Sequence, residues 1–165
     1  MPSVDVQKEG GIMSFYFLRE DFGKLNAQIA EINARIKQIG KEMGASCQEG
    51  AETFHDNFAY EDGERQQQMW SVLLRELMEI NNNAAIIDAA ASADRVDIGS
   101  CVTICDVRTG EEKKLRIGSY RVFENHGTVS YNAPLGRMLL GAKEGEVVVG
   151  EIAGKEKKFE ILSID

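Results

Sequence analysis

Across residues 18–43 the large apolar side chains fall at Leu18, Phe22, Leu25, Ile29, Ile32, Ile36, Ile39 and Met43, at spacings that alternate between four and three. That is an unbroken a/d heptad seam, the signature of a helix that packs along one edge against another helix. A strand would alternate every second residue, and an ordinary surface helix would carry a wider, less regular apolar face. Gly23 and Gly40 lie off the seam, so they weaken the helix without interrupting the stripe. About 26 residues rising 1.5 Å each make a rod of roughly 40 Å, and its apolar edge needs a partner.

A second periodic stretch supplies that partner. Apolar positions recur at Phe58, Met69, Leu73, Leu77, Ile80, Ala84 and Ile87, with a local slip from the heptad around Leu73 and Leu77. Trp70 falls off this line, which predicts partial exposure. Residues 44–57, between the two seams, are rich in Gly and acid. The pattern predicts two antiparallel helices joined by an acidic tip, a finger over residues 15–89 with its tip near 45–60. Residues 1–14 read as a flexible arm, and Met13 could serve as a second start.

Helical periodicity stops after Asp88, and residues 89–93 form a small-residue connector. Beyond it the texture changes to short strands and turns. Residues 102–105 alternate and are β-branched, 108–111 form a turn, and 113–117 read as the returning strand of a hairpin. Residues 120–123 read as a third strand, and 127–131 lead out of a turn. Pro134 opens a short helix through Leu140, closed by Gly141. Strands over 146–152 and 157–164 flank a turn at 153–156. Several short strands around one short helix predict a compact domain over residues 94–165, so the expected fold class is α+β.

A length of 165 residues suits one or two small domains, and 43% hydrophobic with 28% charged residues is ordinary for a soluble chain. No run approaches the ~18 apolar residues of a membrane span, and the first residues lack the apolar core of a secretion signal. Three cysteines, an odd number, argue against a disulfide framework. Cys101 and Cys105 share one face of a strand-like run, and the chain's only histidines, His55 and His126, do not lie close to the pair in sequence. Buried free thiols are the expectation there, in a reduced, cytoplasmic protein.

The net charge of −8 is uneven: residues 1–88 carry −7 and residues 89–165 carry −1. An acidic half does not bind nucleic acid by bulk charge. It suits a basic protein partner, a metal ion or plain solubility.

The run Ser130-Tyr131-Asn132-Ala133-Pro134-Leu135-Gly136-Arg137-Met138-Leu139-Leu140-Gly141, followed by Gly145-Glu146-Val147-Val148-Val149, resembles the Gre family of bacterial transcription elongation factors. Ile86-Ile87-Asp88, Val102-Thr103-Ile104 and Arg116-Ile117-Gly118 also fall at matching places, and the resemblance extends from Leu18 to the end. It implies an N-terminal antiparallel two-helix coiled coil plus a C-terminal FKBP-like domain. It further implies a factor, not itself an enzyme, that docks on bacterial RNA polymerase and is grouped with DNA-binding transcription proteins. The coiled coil would enter the secondary channel, and its tip would contact the nascent RNA 3′ end. There acidic residues would stimulate cleavage of backtracked RNA with the Mg²⁺ of the polymerase active site. No cofactor is expected to stay bound to the free protein, which is expected to be a monomer with no membrane association.

The tip departs from the family pattern. Between Lys41 and Arg65 there is no Lys or Arg, and seven acids lie there. The run matching the family's tip is Thr53-Phe54-His55-Asp56-Asn57-Phe58-Ala59-Tyr60. Asp56 stands where the family has Glu, Asn57 and Tyr60 match, and Thr53 replaces the first catalytic Asp. Asp56 is therefore the expected metal-binding and catalytic acid, with Glu52 as a possible second. Thr53, Asn57 and Tyr60 are expected tip contacts. Three readings stay open: a metal-delivering tip, a channel plug that inhibits polymerase without cleavage, or a solvated loop. An unrelated coiled-coil adaptor is a further alternative. Asn132, Ala133, Pro134 and Arg137 are the expected polymerase-binding residues, since a Pro at a helix start makes a rigid corner. For Arg137 the plainer reading is an ion pair with a nearby carboxylate. Prolyl isomerase activity is not expected from the fold, because fold does not fix function and aromatics are few.

Overall fold

The computed structural model describes residues 14–49, 58–89, 94–123 and 126–165. The chain forms two compact units, one of residues Gly23–Asn83 and one of Met1–Phe22 with Ala84–Asp165. The elements run β1 (Phe15–Leu18), α1 (Arg19–Glu49), α2 (Phe58–Asn82), β2 (Ala84–Ile87), β3 (Cys101–Asp106), β4 (Glu112–Gly118), β5 (Thr128–Ser130), α3 (Pro134–Leu139), β6 (Val147–Ile152) and β7 (Lys155–Ile164). The fold class is α+β, as the alternation of patterns predicts.

Burial on α1 follows the heptad closely. Leu25, Ile32 and Ile39, seven apart, are buried, while Phe22, Ile29, Ile36 and Met43 are half-buried. The partner helix runs antiparallel. Asn81 Nδ2 donates to Asn26 Oδ1 at 2.8 Å near one end. Towards the other end, Gly40 faces Gln67 and Gly63 faces Met43.

The seam of α2 follows the expected one at Leu73, Leu77 and Ile80, which are buried or half-buried, and departs from it before Leu73. Phe58 and Met69 are exposed, at 72% and 59%. Gly63 is buried in their place, and Trp70, midway between it and the buried Leu77 at steps of seven, is half-buried. The true stripe hides behind a glycine and two glutamines, Gln66 and Gln67, which carry no hydrophobic signal.

Two further expectations are corrected. Leu18 belongs to a strand rather than to the first helix, and residues 84–87 form a strand rather than the end of the second. These two segments pair in parallel, Phe15 with Ala84 through Leu18 with Ile87. A parallel pair of four-residue strands has little stability alone. Here Tyr120 N–H donates to Tyr16 O at 3.0 Å. The rings of Phe15, Tyr16 and Phe17 pack on Tyr120, Tyr131 and Phe22 at centroid distances of 4.4–6.5 Å. Tyr120 therefore anchors β1, and residues 120–123 do not form the strand their sequence suggests.

The start of α1 is capped from a distance. Ser119, fully buried, accepts the Leu18 N–H on its Oγ at 2.9 Å and donates to Asp21 Oδ2. A capping hydroxyl supplied from 101 residues away replaces the Ser or Asp usually found beside the helix. Ser119→Ala strands a buried N–H, so we expect a loss of about 1–3 kcal/mol in urea unfolding. A change under a few tenths would show that Leu18 N–H finds another acceptor.

The second sheet has five strands in the order β5-β4-β3-β7-β6. Neighbours are antiparallel except the parallel pair β4–β5. Its inner face carries Val102, Ile104, Leu115, Ile117, Phe159 and Ile161, packed with Leu139 of α3. Cys101 and Cys105 point the other way and are half-exposed, so these thiols are not core residues. Alternation along β3 forces this, since burying Val102, Ile104 and Asp106 turns the cysteines outward.

Asp106 ends β3 and ties down the hairpin turn. Its carboxylate accepts Lys157 Nζ at 2.9 Å and the Arg108 N–H at 2.9 Å. The Lys157 hydrogen bond, then the Arg108 amide, hold its carboxyl below the usual aspartate value. A depressed folded-state value stabilises the fold above the unfolded pKa of ~3.9 and loses that effect as pH falls through the folded value. Asp106→Asn should therefore melt lower than wild type at neutral pH, with the gap closing in melts taken towards pH ~2. A gap that does not depend on pH would assign the loss to packing.

Candidate functional site

The residues expected to dock a partner gather on one corner of the sheet unit, the loop from Ser130 into α3. The sequence builds this corner rigidly. Ser130 Oγ donates to Tyr120 O at 2.9 Å and accepts the Asn132 N–H at 3.2 Å. Tyr131 N–H donates to Gly118 O, and Ala133 N–H to Ser130 O. Ala133 is extended (φ −67°, ψ 155°), and Pro134 fixes the first helical turn. No side chain caps α3.

Two residues that the sequence reading passed over hold the corner in place. Tyr131 is buried, and its hydroxyl accepts the Tyr16 N–H at 3.2 Å. Burial pushes its phenol above the usual value, so it stays a neutral anchor. Gly136 is buried where α3 crosses Ser130. A Cβ there would fall on the Ser130 carbonyl oxygen and lie 2.9 Å from Tyr131 Cα. The signal was present as Pro-x-Gly at a helix start, although glycine there reads first as a weak helix former.

On the outer side of this corner Arg137 is exposed, and its Nε and Nη2 both donate to Asn132 Oδ1, at 3.2 and 2.6 Å. The Arg137 partner is thus a neutral amide, not the carboxylate of the plainer reading. The cation stays uncompensated in this pair while its guanidinium plane is held in one orientation. Such a pre-set fork suits a carboxylate or backbone carbonyls on a partner surface. Asn132 and Ala133 are half-buried and Pro134 is exposed, so the four form one contiguous corner.

The tip is different. Glu52, Thr53, Asp56 and Asn57 lie outside the described residues. Tyr60, in the first turn of α2, is half-buried, and Phe58 at its start is exposed. The acids that flank the tip on α2, Glu61, Asp62 and Glu64, are exposed. Among the described residues no group of three His, Cys, Asp or Glu is placed to hold a metal ion, and no helix is long and apolar enough to cross a membrane.

The family model described as "Transcription elongation factor, GreA/GreB, C-term" matches residues 91–165, the segment that contains this corner. Full-length relatives extend the likeness. A transcription elongation factor GreA of Thermotoga neapolitana is 28% identical over 147 residues, covering 88% of this chain and 94% of that protein. One of Treponema pallidum is 29% identical over 146 residues, covering 85% and 89%. Among solved structures, the GreA factor homolog 1 (Gfh1) of Thermus thermophilus is 20% identical with a TM-score of 0.41, covering 93% of this chain and 99% of that one.

Proposed function

We propose, from the premise that this chain belongs to the Gre family of transcription elongation factors, that it binds RNA polymerase and stimulates cleavage of backtracked RNA. The 130–137 corner docks on the polymerase, and the antiparallel helix pair carries the acidic tip into the secondary channel. The observation that carries the reading is the rigid corner, with Pro134 presented and Arg137 held by Asn132. It lies within the matched segment, and the relatives span both units.

In this reading Glu52 and Asp56 are the carboxylates that would hold a Mg²⁺ at the polymerase active site. Their chemistry fits, since Mg²⁺ prefers oxygen ligands and keeps several waters, so one or two carboxylates suffice. When bound, such an ion supplies an activated water for an in-line displacement. The chain's own part is to bind through Arg137 and its neighbours and to place the tip acids. It performs no chemistry alone.

A second reading is favoured by one residue. Thr53 stands where the family has an acid, so the tip has one carboxylate fewer to share with a metal. The chain would then occupy the channel and inhibit nucleotide addition without promoting cleavage.

The test is a stalled, backtracked elongation complex with matched polymerase at low Mg²⁺, with and without this protein. Faster release of short 3′ RNA fragments supports the first reading. Slower nucleotide addition without cleavage supports the second. Arg137→Glu should abolish either effect by weakening binding, and if neither effect nor binding is seen with wild type, both readings fail.

A further inference from the structure

The six-residue helix α3 is held on both flanks and from below. At about 100° of turn per residue, Gly136 and Met138 lie on nearly opposite sides of it, with Leu139 between them on one face and Arg137 between them on the other. Leu139 is fully buried and Arg137 is exposed, as that arrangement requires. The Gly136 flank abuts the backbone of Ser130 and Tyr131. The Met138 flank meets β6 at Gly150, where a Cβ would lie 2.6 Å from both Met138 Cγ and Met138 Sδ. The methionine thus occupies the space that a side chain at residue 150 would fill.

The backbone does not require glycine there. Gly150 has no positive φ, and it pairs with Lys157 in the regular ladder between β6 and β7. It lies between Val148 and Ile152 on the core-facing side of β6, and both of those pack against the core. Glycine inside a strand weakens it and often marks a place where another part of the chain comes close. Here that part is α3.

We infer that Gly150, through the notch in which it seats Met138, is a positioning residue for Arg137 and the corner around it. The inference rests on the reading of residues 130–137 as the polymerase contact. Cγ is a single bond beyond Cβ, so swinging the end of the methionine does not relieve a clash there. A side chain at residue 150 pushes on one flank of α3 while fixed backbone blocks the other, so the helix turns or rises. At under about two turns it has no length over which to absorb the displacement. The Arg137 fork then leaves the orientation in which Asn132 holds it. Gly150 itself touches no partner in this scheme.

The test is titration of the full chain into stalled, backtracked complexes with matched polymerase, at a temperature where circular dichroism shows every variant folded. The half-saturating concentration and the effect at saturation are read separately. Gly150→Val should raise the half-saturating concentration about tenfold, within the range by which neighbouring residues couple, and leave the effect at saturation unchanged. Adding Met138→Ala should bring it back to within about twofold of wild type, because volume moves from helix to strand and the pair stays filled. In an Arg137→Ala background Gly150→Val should add less than about twofold, since the fork through which it acts is gone. A purely structural role would give the same loss with and without Arg137. Gly150→Ala should show the same pattern at about threefold, and serves if the valine variant does not fold.

An unchanged half-saturating concentration in the Gly150 variants, no restoration by Met138→Ala, or an equal loss with and without Arg137 overturns the inference and leaves the corner reading intact. If Arg137→Ala itself binds like wild type, the corner reading falls and takes the inference with it.

Discussion

Gly136→Ala should destabilise the sheet unit by about 3 kcal/mol, at the upper end of overpacking effects, because the new methyl meets fixed backbone rather than a movable side chain. The Ser130 carbonyl and Tyr131 Cα that it would strike are held by hydrogen bonds to Gly118, Ala133 and Tyr120. Neither can retreat without breaking those bonds. For a unit of this size the fall in Tm is roughly 10–20 °C. Gly141→Ala is the natural comparison. Gly141 has φ of 78° with open space around its Cα. Its replacement costs only the conformational penalty of about 1–2 kcal/mol. A Gly136→Ala protein that melts as high as Gly141→Ala would mean that the α3 crossing is looser than the contacts imply.

The second large effect concerns chemistry. On the cleavage reading, Asp56→Ala should lower the rate of fragment release by about 10–100-fold, the usual cost of losing one group that supports a metal. Polymerase binding should be unaffected, since the 130–137 corner is untouched. Thr53→Asp should act in the opposite sense and raise the rate by restoring the acid that the family carries there. If Asp56→Ala cleaves like wild type, the assignment of that carboxylate is wrong and Glu52 is the next residue to remove. If only Thr53→Asp cleaves at all, the natural protein is the channel-occupying regulator of the second reading.

The first helix was readable because each seam position carries a large apolar side chain, so sequence period and burial coincide from Phe22 to Met43. The second is readable from Leu73 to Ile80 but not before, because there its seam passes through Gly63, Gln67 and Trp70, while Met69 offers a stronger hydrophobic signal on the wrong face. The strands of the sheet unit were located to within one or two residues wherever the partner is local, as in the β3–β4 hairpin. β1 and β2 were missed because a parallel pair leaves no local signature and each looks like a helix continuation. The 130–137 corner was legible through Pro134 and Arg137, but its supports were not. Ser119, Ser130 and Gly136 matter for atoms they approach rather than for any pattern they form.

The β1–β2 pairing also fixes an order of events as the chain emerges during synthesis. Its partners sit 69 residues apart, and the Leu18–Ser119 cap spans 101. All contacts within Gly23–Asn83 are confined to 61 residues. Closing long loops delays the non-local contacts, so the helical hairpin should form first and β1 should wait for its partner to be made. Until then the Phe15-Tyr16-Phe17-Leu18 segment is exposed on the nascent chain, a short aromatic stretch without charge. That interval, and not the finished fold, is when this protein should be most prone to aggregate.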